Sequence, residues 1–217
     1  MLKLKSNKVL MQIGTNNGKD DFSLLAHSTY SSKVILVEPN ASLNAAIHKR
    51  YASINNYVLE NVAITVEQQG EVSLVHPKNE YDAYGEVISS WNYHDVHFSL
   101  IPMDDWGNDF DVIKAPSMTF AELCKKHNVT DIHYLQIDVE GYDTEIIKSI
   151  DFRKYNIDIL KFEDWTFSED CFKRHGEKGK EYGVNGMRYV EHMLINLGYT
   201  LTREESDILC VKNYPVV

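Results

Sequence analysis

Short runs of apolar residues alternate along this chain with segments whose apolar residues recur three or four positions apart. The run from Val9 to Ile13 has four apolar residues in five, as expected of a parallel strand covered on both faces. Further runs typical of strands lie at 33–40, 57–64, 70–75, 132–137 and 157–162. Because helical patterns separate most of these runs, the chain is predicted to form one doubly wound α/β domain, 1–217, with a mostly parallel sheet.

Two other patterns predict where helices begin and end. The run Thr119-Phe120-Ala121-Glu122 fits a capping box, so a helix should begin there. Near the C-terminus, apolar positions 187, 190, 194 and 197 predict an amphipathic helix that Gly198 ends. The segments 199–203 and 207–212 that follow predict an antiparallel hairpin.

Two segments lack a clear periodicity. From 76 to 118 the periodicity is lost while aromatic residues accumulate, and the segment from 166 to 183 is polar and contains several glycines. A long segment of the first kind is typical of a binding loop, since its many aromatic residues argue against disorder. We therefore expect 76–118 and 166–183 to be lids over the active site, with coverage of a sheet edge as the alternative for the aromatic residues.

A tight turn follows the first strand and opens a helix. Gly14 and Gly18 lack a Cβ, so the chain can turn sharply and let a ligand lie against backbone N–H groups at the helix N-terminus. A P-loop would need four residues between its glycines, and a dinucleotide fingerprint would need a third glycine at position 21, which is Asp21. The remaining G-x-x-x-G pattern predicts a ligand without identifying it.

The second strand narrows the choice of ligand. It ends at Glu38, 24 positions after Gly14, and Pro39 follows. In a right-handed β-α-β unit this carboxylate emerges beside the first turn, where it can accept both hydroxyl groups of a ribose. The alternative is a solvated charge at a strand end or at a helix N-terminus.

Composition excludes several classes of protein. The 217 residues are 43% hydrophobic and 25% charged, with a formal net charge of −10. These values suit a soluble domain, argue against a nucleic-acid partner, and accompany no apolar stretch long enough for a membrane span. The three cysteines are odd in number and widely spaced, and no export leader is visible, so we expect a cytoplasmic protein.

With these residues in view, the chain resembles the FkbM-type S-adenosylmethionine-dependent methyltransferases. The resemblance spans about positions 8 to 165, and its most specific part is the Ile-Asp-Val-Glu-Gly run. It rests on Gln12-Ile13-Gly14-Thr15-Asn16-Asn17-Gly18, Val37-Glu38-Pro39, Asn61-Val62-Ala63-Ile64 and Gln136-Ile137-Asp138-Val139-Glu140-Gly141-Tyr142-Asp143.

This resemblance implies a class I fold with a seven-stranded sheet and S-adenosylmethionine as cofactor. It implies cofactor contacts from Gln12, Gly14, Asn16, Asn17, Gly18, Glu38, Pro39, Asn61, Ala63, Ser89, Ser90 and Asp138. The family usually carries an acidic residue at the position of Gln12 and a lysine at that of Gln136. Gln12 can accept a hydrogen bond but brings no charge to the ammonium group of the cofactor.

A second resemblance concerns a metal ion. Asp138, with the adjacent acids Glu163 and Asp164 one strand later, is similar to the metal site of sugar and catechol O-methyltransferases. Such oxygen ligands suit Mg²⁺ or Mn²⁺, which would lower the pKa of a chelated sugar hydroxyl. The alternative is that Glu163 and Asp164 cap a strand or pair with Lys161 or Arg188.

The candidate catalytic groups are Asp138, Glu140, His94 and His97. The histidines, together with His175, are the alternative general bases if no metal takes part. The expected function is O-methylation of a hydroxyl on a sugar, glycan or other small polyol. A dinucleotide-dependent oxidoreductase and a noncatalytic binding module remain the alternatives, and a homodimer or a fused glycosyltransferase-type domain could help to hold the acceptor.

Overall fold

The computed structural model describes residues 9–28, 33–67, 70–77, 93–94, 110–139, 142–164 and 184–214. The strands are β1 Val9–Ile13, β2 Lys33–Val37, β3 Tyr57–Glu60, β4 Ala63–Thr65, β5 Glu71–Pro77, β6 Tyr93–His94, β7 Phe110–Thr119, β8 Asp131–Ile137, β9 Asn156–Glu163, β10 Tyr199–Glu204 and β11 Asp207–Lys212. The α-helices are α1 Asp21–His27, α2 Asn44–Tyr51, α3 Phe120–His127, α4 Asp143–Ser149 and α5 Val184–Asn196, and a short 3₁₀ helix spans Ala41–Leu43.

Seven strands form the main sheet in the order β10-β11-β9-β8-β1-β2-β3. The strands from β3 across to β9 pair in parallel, and β11 and β10 close the other edge as an antiparallel hairpin. The predicted fold is therefore confirmed. Successive parallel strands need a crossover connection, and α1 and α2 provide it between β1, β2 and β3.

Apolar residues cover both faces of this sheet. On one face Met11 and Ile13 join a large core, and on the other Leu10 packs with Phe22 of α1 and Tyr51 of α2. This alternation is the reason that β1 reads as a nearly continuous apolar run. The strands also end in register, since Ile13 pairs with Val37 and Ile137, and Ile137 pairs with Phe162.

The helix ends follow local chemistry. Thr119 and Glu122 form the predicted capping box at the start of α3, each accepting a hydrogen bond from the backbone N–H of the other. The helix ends at Asn128, which has a left-handed conformation with φ of 53°. Within the described ranges, no helix is long and apolar enough to cross a membrane.

The strand predicted at 57–64 is two strands in two different sheets. After β3 the chain turns at Asn61 and Val62, and β4 pairs with β7 in a four-stranded sheet of order β4-β7-β5-β6. The Asn61 side chain explains the turn, since its Nδ2 donates to the Glu38 backbone oxygen at 2.9 Å and to Asn44 Oδ1 at 2.7 Å. Only the two polar residues Glu60 and Asn61 interrupt the apolar pattern there, so the break was not predicted.

The prediction that 76–118 lacks secondary structure is wrong at both ends. β5 and β7 pair in antiparallel fashion from Glu71↔Pro116 to Pro77↔Phe110. β7 was not predicted because it contains Pro116, and a proline within an apolar run argues against a central strand. The rest of this segment, apart from β6, and the whole of 166–183 lie outside the described residues, so their prediction as lids stays a prediction.

Candidate active site

The turn after β1 is tied to the end of β2. The N–H groups of Gly14 and Thr15 both donate to the Val37 backbone oxygen at 3.0 Å, and Gly18 N–H donates to the Thr15 oxygen at 2.9 Å. Gly14, Asn16 and Gly18 all have positive φ, of 84°, 54° and 73°. Two glycines and an asparagine are the residues that adopt this conformation at least cost.

Gly14 is also required by a close approach of two strands. A Cβ on Gly14 would lie 1.7 Å from the backbone oxygen of Asp138, which follows β8. Asp138 N–H in turn donates to the Ile13 oxygen at 2.9 Å. The exits of β1 and β8 are therefore in direct backbone contact beside the turn.

The turn satisfies all of its own backbone donors. Asn16 N–H donates to Glu38 Oε2 at 2.7 Å, Asn17 N–H to Asn16 Oδ1, and Lys19 N–H to Asn17 Oδ1 at 2.9 Å. With the bonds of Gly14, Thr15 and Gly18, every N–H from Gly14 to Lys19 has a partner. The expectation that a ligand lies against the backbone N–H groups of this turn stays a prediction.

A carboxylate also occupies the N-terminus of α1. Asp20 Oδ1 accepts from Ser23 N–H at 3.0 Å, and Gln12 Nε2 donates to Asp20 Oδ2. Burial raises the pKa of Asp20. Asp20 was not predicted as a site residue, although its position directly before the helix and two residues before the apolar Phe22 is that of an N-cap.

Gln12 thus has a structural partner in the predicted cofactor site. Its side chain is fully buried, and its Oε1 accepts no hydrogen bond from the described residues. Gln136 lies beside Gln12 on β8, and its buried Oε1 also accepts no hydrogen bond from the described residues. Two neutral amides therefore stand side by side at the positions where the resemblance implied an acid and a lysine.

Glu38 is fully buried at the end of β2. Its Oε1 accepts from Asn40 N–H at 2.8 Å, and its Oε2 accepts from Asn16. Burial raises the pKa of Glu38 to about 7, although the two N–H groups favour the charged form, and nearby Asp138 raises it further. Each carboxylate oxygen has a second lone pair, so Glu38 can still accept hydroxyl groups of a ligand.

Asp138 lies at the same rim, held by its backbone against Ile13 and Gly14. Burial raises the pKa of Asp138 to about 6, and the negative charges of Asp207 and Asp20 contribute while Lys161 opposes them. A carboxyl group with this pKa is mostly ionised at neutral pH and still basic enough to accept a proton. Asp138 therefore has the properties of a general base.

The predicted metal ligands do not come together. Asp164 forms an ion pair with Arg203 of β10, and its N–H donates to the Ser206 oxygen at 2.6 Å. Among the described residues, no group of three or more histidines, cysteines or acids could hold a metal ion. Asp138, Glu163 and Asp164 therefore do not form the expected set of metal ligands, because the hairpin supplies a cation to Asp164.

Asp143, at the start of α4, is an acid that the sequence analysis did not assign to the site. It is fully buried, and its carboxylate accepts from Val139 N–H at 3.4 Å and from Glu163 N–H at 3.5 Å. It thus connects the exits of β8 and β9. Its place in the first turn of a helix was the available signal.

An apolar cleft opens beside the turn. Its empty space, including the open mouth, is about 390 Å³. Pro39 and Ala63, both predicted to contact the cofactor, line it together with Gly14, Leu74 and Tyr142. Asn61 instead directs its side chain to Asn44 and to the Glu38 backbone, as described above.

Several predicted site residues fall outside the described part of the chain. They are Ser89, Ser90, His97, Glu140 and His175, and the side chain of His94. Their assignments stay predictions.

The strand order and the terminal hairpin are those of the class I methyltransferase fold. The sequence matches the methyltransferase FkbM domain over residues 12–201, so the chain belongs to the FkbM methyltransferase family. Comparison with curated proteins gave no significant match.

Solved structures with this fold are distant in sequence. The O-methyltransferase TomG from Streptomyces achromogenes, involved in tomaymycin synthesis and solved with SAM, is 10% identical with a TM-score of 0.51, over 95% of this chain and 74% of that chain. A precorrin-6y C5,15-methyltransferase from Geobacter metallireducens is 12% identical with a TM-score of 0.46, over 97% of this chain and 84% of that chain.

The close approach of the Asp138 backbone oxygen to Gly14 predicts that any side chain at position 14 destabilises the protein. Gly14→Ala should cost several kcal/mol, since an alanine there has both an unfavourable φ and a collision with the Asp138 oxygen. Gly198→Ala is the matched control, because Gly198 has φ of 87° and no atom within 4 Å of an added Cβ. The control should lose only about 1–2 kcal/mol in urea unfolding, and equal losses in the two variants would contradict the close approach.

The raised pKa of Glu38 predicts a pH-dependent stability. Between its ordinary pKa of 4.5 and about 7, the folded protein holds a proton on Glu38 that the unfolded chain has released. The stabilisation is complete below the ordinary pKa and is lost as the pH rises through the folded-state pKa. Relative to Glu38→Gln, the unfolding free energy should therefore fall by on the order of 3 kcal/mol between pH about 4.5 and about 8.

Urea unfolding of both proteins at several pH values measures this difference. Glu204→Gln, at an exposed position in β10, is the control and should follow the unsubstituted protein at every pH. Parallel curves for the unsubstituted protein and Glu38→Gln would show that Glu38 titrates normally.

Proposed function

We propose that this protein transfers the methyl group of S-adenosylmethionine to a hydroxyl group of a sugar, glycan or other small polyol. The single observation that carries the choice of cofactor is the turn from Gly14 to Lys19, whose N–H groups are all occupied. A dinucleotide needs free N–H groups and an unoccupied helix N-terminus for its pyrophosphate. Here the Asp20 carboxylate already caps α1.

The acids of the rim, of which Glu38 is fully buried and Asp20 and Asp138 are partly buried, suit a cationic cofactor. S-Adenosylmethionine has no phosphate and carries positive charges on its sulfonium and ammonium groups. Burial is the main cause of the raised pKa values of Asp20, Glu38 and Asp138, and the charge of Asp138 further raises the pKa of Glu38 while the charge of Asp20 further raises that of Asp138, so a cation bound among them would be favoured. A pyrophosphate placed there would be repelled.

Glu38 would accept the ribose hydroxyl groups through its remaining lone pairs. The cleft lined by Pro39 and Ala63 offers an apolar surface of the kind that suits an adenine ring. Gly14 and Gly18 keep the turn free of side chains, so that the cofactor could approach the backbone closely.

Asp138 would act on the acceptor. Its carboxylate removes the proton of the hydroxyl group as the oxygen attacks the methyl carbon. The carbon–sulfur bond breaks, its electron pair stays on the sulfur, and the products are a methyl ether, a neutral thioether and protonated Asp138. We derive no step through a metal ion, because Asp164 is paired with Arg203.

Calorimetric titration with S-adenosylhomocysteine and with NAD tests the cofactor. We expect S-adenosylhomocysteine to bind, and Glu38→Ala to weaken it by about 2–3 kcal/mol through loss of charge-assisted hydrogen bonds. Glu204→Ala, exposed at the far edge of the sheet, should leave the affinity unchanged. Preferential binding of NAD would favour an oxidoreductase, and binding of neither would favour a noncatalytic module.

Transfer of radiolabelled methyl groups to simple methyl hexosides tests the reaction. Asp138→Asn keeps the shape of the side chain and removes the base, so turnover at saturating cofactor should fall by about 100-fold or more. For the unsubstituted protein, the rate should rise with pH through about 6 as Asp138 ionises.

Asp151→Asn, at an exposed turn, is the control and should keep full activity. A native rate in Asp138→Asn would remove Asp138 from the chemistry. If S-adenosylhomocysteine binds and no hexoside accepts a methyl group, the sugar acceptor is wrong while the cofactor assignment stands.

A further inference from the structure

An open groove lies between α1 and α2 on the side of the helices away from the sheet. Its empty space, including solvent, is about 1250 Å³. Lys19, Lys49 and Arg50 line it with exposed positive charges, and His27 lies on its wall. In the described part of the chain no acidic side chain lines this basic groove, although the whole protein has a net charge of −10.

The sequence of α2 explains this concentration of charge. Ile47 and Tyr51 are fully buried against the sheet, so the intervening residues Lys49 and Arg50 project to the other side. The helix carries no acid in its first turn and three basic residues in its last. Neither Lys49 nor Arg50 is used in the proposed methyl transfer.

The basic groove also has an apolar part. Leu24 of α1, which is 68% exposed, and Ala46 of α2 belong to its lining. A large exposed apolar side chain beside a cluster of cations suits a ligand that offers both acidic and apolar groups.

We propose that the basic groove docks an acidic segment of a partner polypeptide that also carries apolar side chains. Carboxylates of the segment would pair with Lys49 and Arg50, and a leucine-like side chain would cover Leu24. A nucleic acid would satisfy the cations, but its phosphate backbone would leave Leu24 exposed, and the strong overall negative charge would repel it at long range. This inference does not depend on the methyltransferase reaction.

The groove lies next to the cofactor turn. The Arg50 Cγ is 3.5 Å from the position of a Cβ on Gly18, and Tyr51 Cε2 is 3.0 Å from it. A docked segment would therefore contact the same turn of α2 that supports Gly18.

Fluorescence anisotropy with short labelled peptides tests the proposal on the full chain. The probe has the repeat Glu-Glu-Leu, and the comparison peptides have the repeats Gln-Gln-Leu and Glu-Glu-Ser. We expect the first peptide to bind most tightly, and the double variant Lys49→Glu/Arg50→Glu to weaken it by about tenfold or more. Leu24→Gln should reduce the advantage of the leucine peptide over the serine peptide.

The matched control is Lys125→Glu/Arg188→Glu, which makes the same charge change at exposed positions of α3 and α5. It should bind the acidic peptide almost as well as the unsubstituted protein, and salt should weaken binding by the groove. Equal losses of peptide affinity in the two double variants would show that only the net charge of the protein matters, and this would overturn the proposal.

Two further outcomes would also overturn it. One is tighter binding of a single-stranded RNA oligonucleotide than of the acidic peptide, with the same loss in Lys49→Glu/Arg50→Glu. The other is self-association in sedimentation equilibrium that only the groove variant abolishes, which would assign the groove to a second copy of this chain.

Discussion

The contact between Gly14 and the backbone oxygen of Asp138 is the constraint on which the candidate site depends. It places the end of β1 in direct contact with the end of β8. The N–H groups of Gly14 and Thr15 also donate hydrogen bonds to the Val37 oxygen at the end of β2. Three strand ends are thereby fixed by backbone atoms alone. Glu38 and Asp138 follow two of these ends directly, so their positions are set by the sheet and not by flexible side-chain packing.

This arrangement brings acidic side chains together at a rim where one is fully buried and two are partly buried. Asp20, Glu38 and Asp138 each have a pKa raised mainly by burial, and the hydrogen bonds of Glu38 and Asp20 come from backbone N–H groups and from the Gln12 amide. Burying these three carboxyl groups, wholly or in part, lowers the free energy of unfolding, and such a loss of stability is expected of a functional site. A cationic ligand would lower all three pKa values and recover part of that cost.

Sequence patterns predicted the elements in which local and global preferences agree. The apolar runs of β1, β2, β8 and β9 are buried on both faces, and the capping box at Thr119 is satisfied locally. Where long-range pairing decided the outcome, the patterns failed. Asn61 ends β3 by bonding across to Glu38 and Asn44, and Pro116 lies in a strand whose existence depends on β5.

The same distinction applies to the candidate site. Gly14 and Glu38 were identified because a strand, a turn and a strand end carry their own signals in sequence. The pairing of Asp164 with Arg203 brings together residues from β10 and the end of β9, and no spacing rule relates them. Asp20 and Asp143 were overlooked because an acid at a helix N-terminus is usually structural.

The second sheet, which no pattern predicted, contributes to the site as well. β4 and β5 bring Ala63, Ile64 and Leu74 to the apolar cleft, opposite Gly14 and Val139 from the main sheet. Without the turn at Asn61, the chain would continue along the edge of the main sheet, and these side chains would not face the rim. The hydrogen bond from Asn61 to the backbone of Glu38 therefore fixes both the end of β2 and the start of the part of the cleft wall that β4 provides.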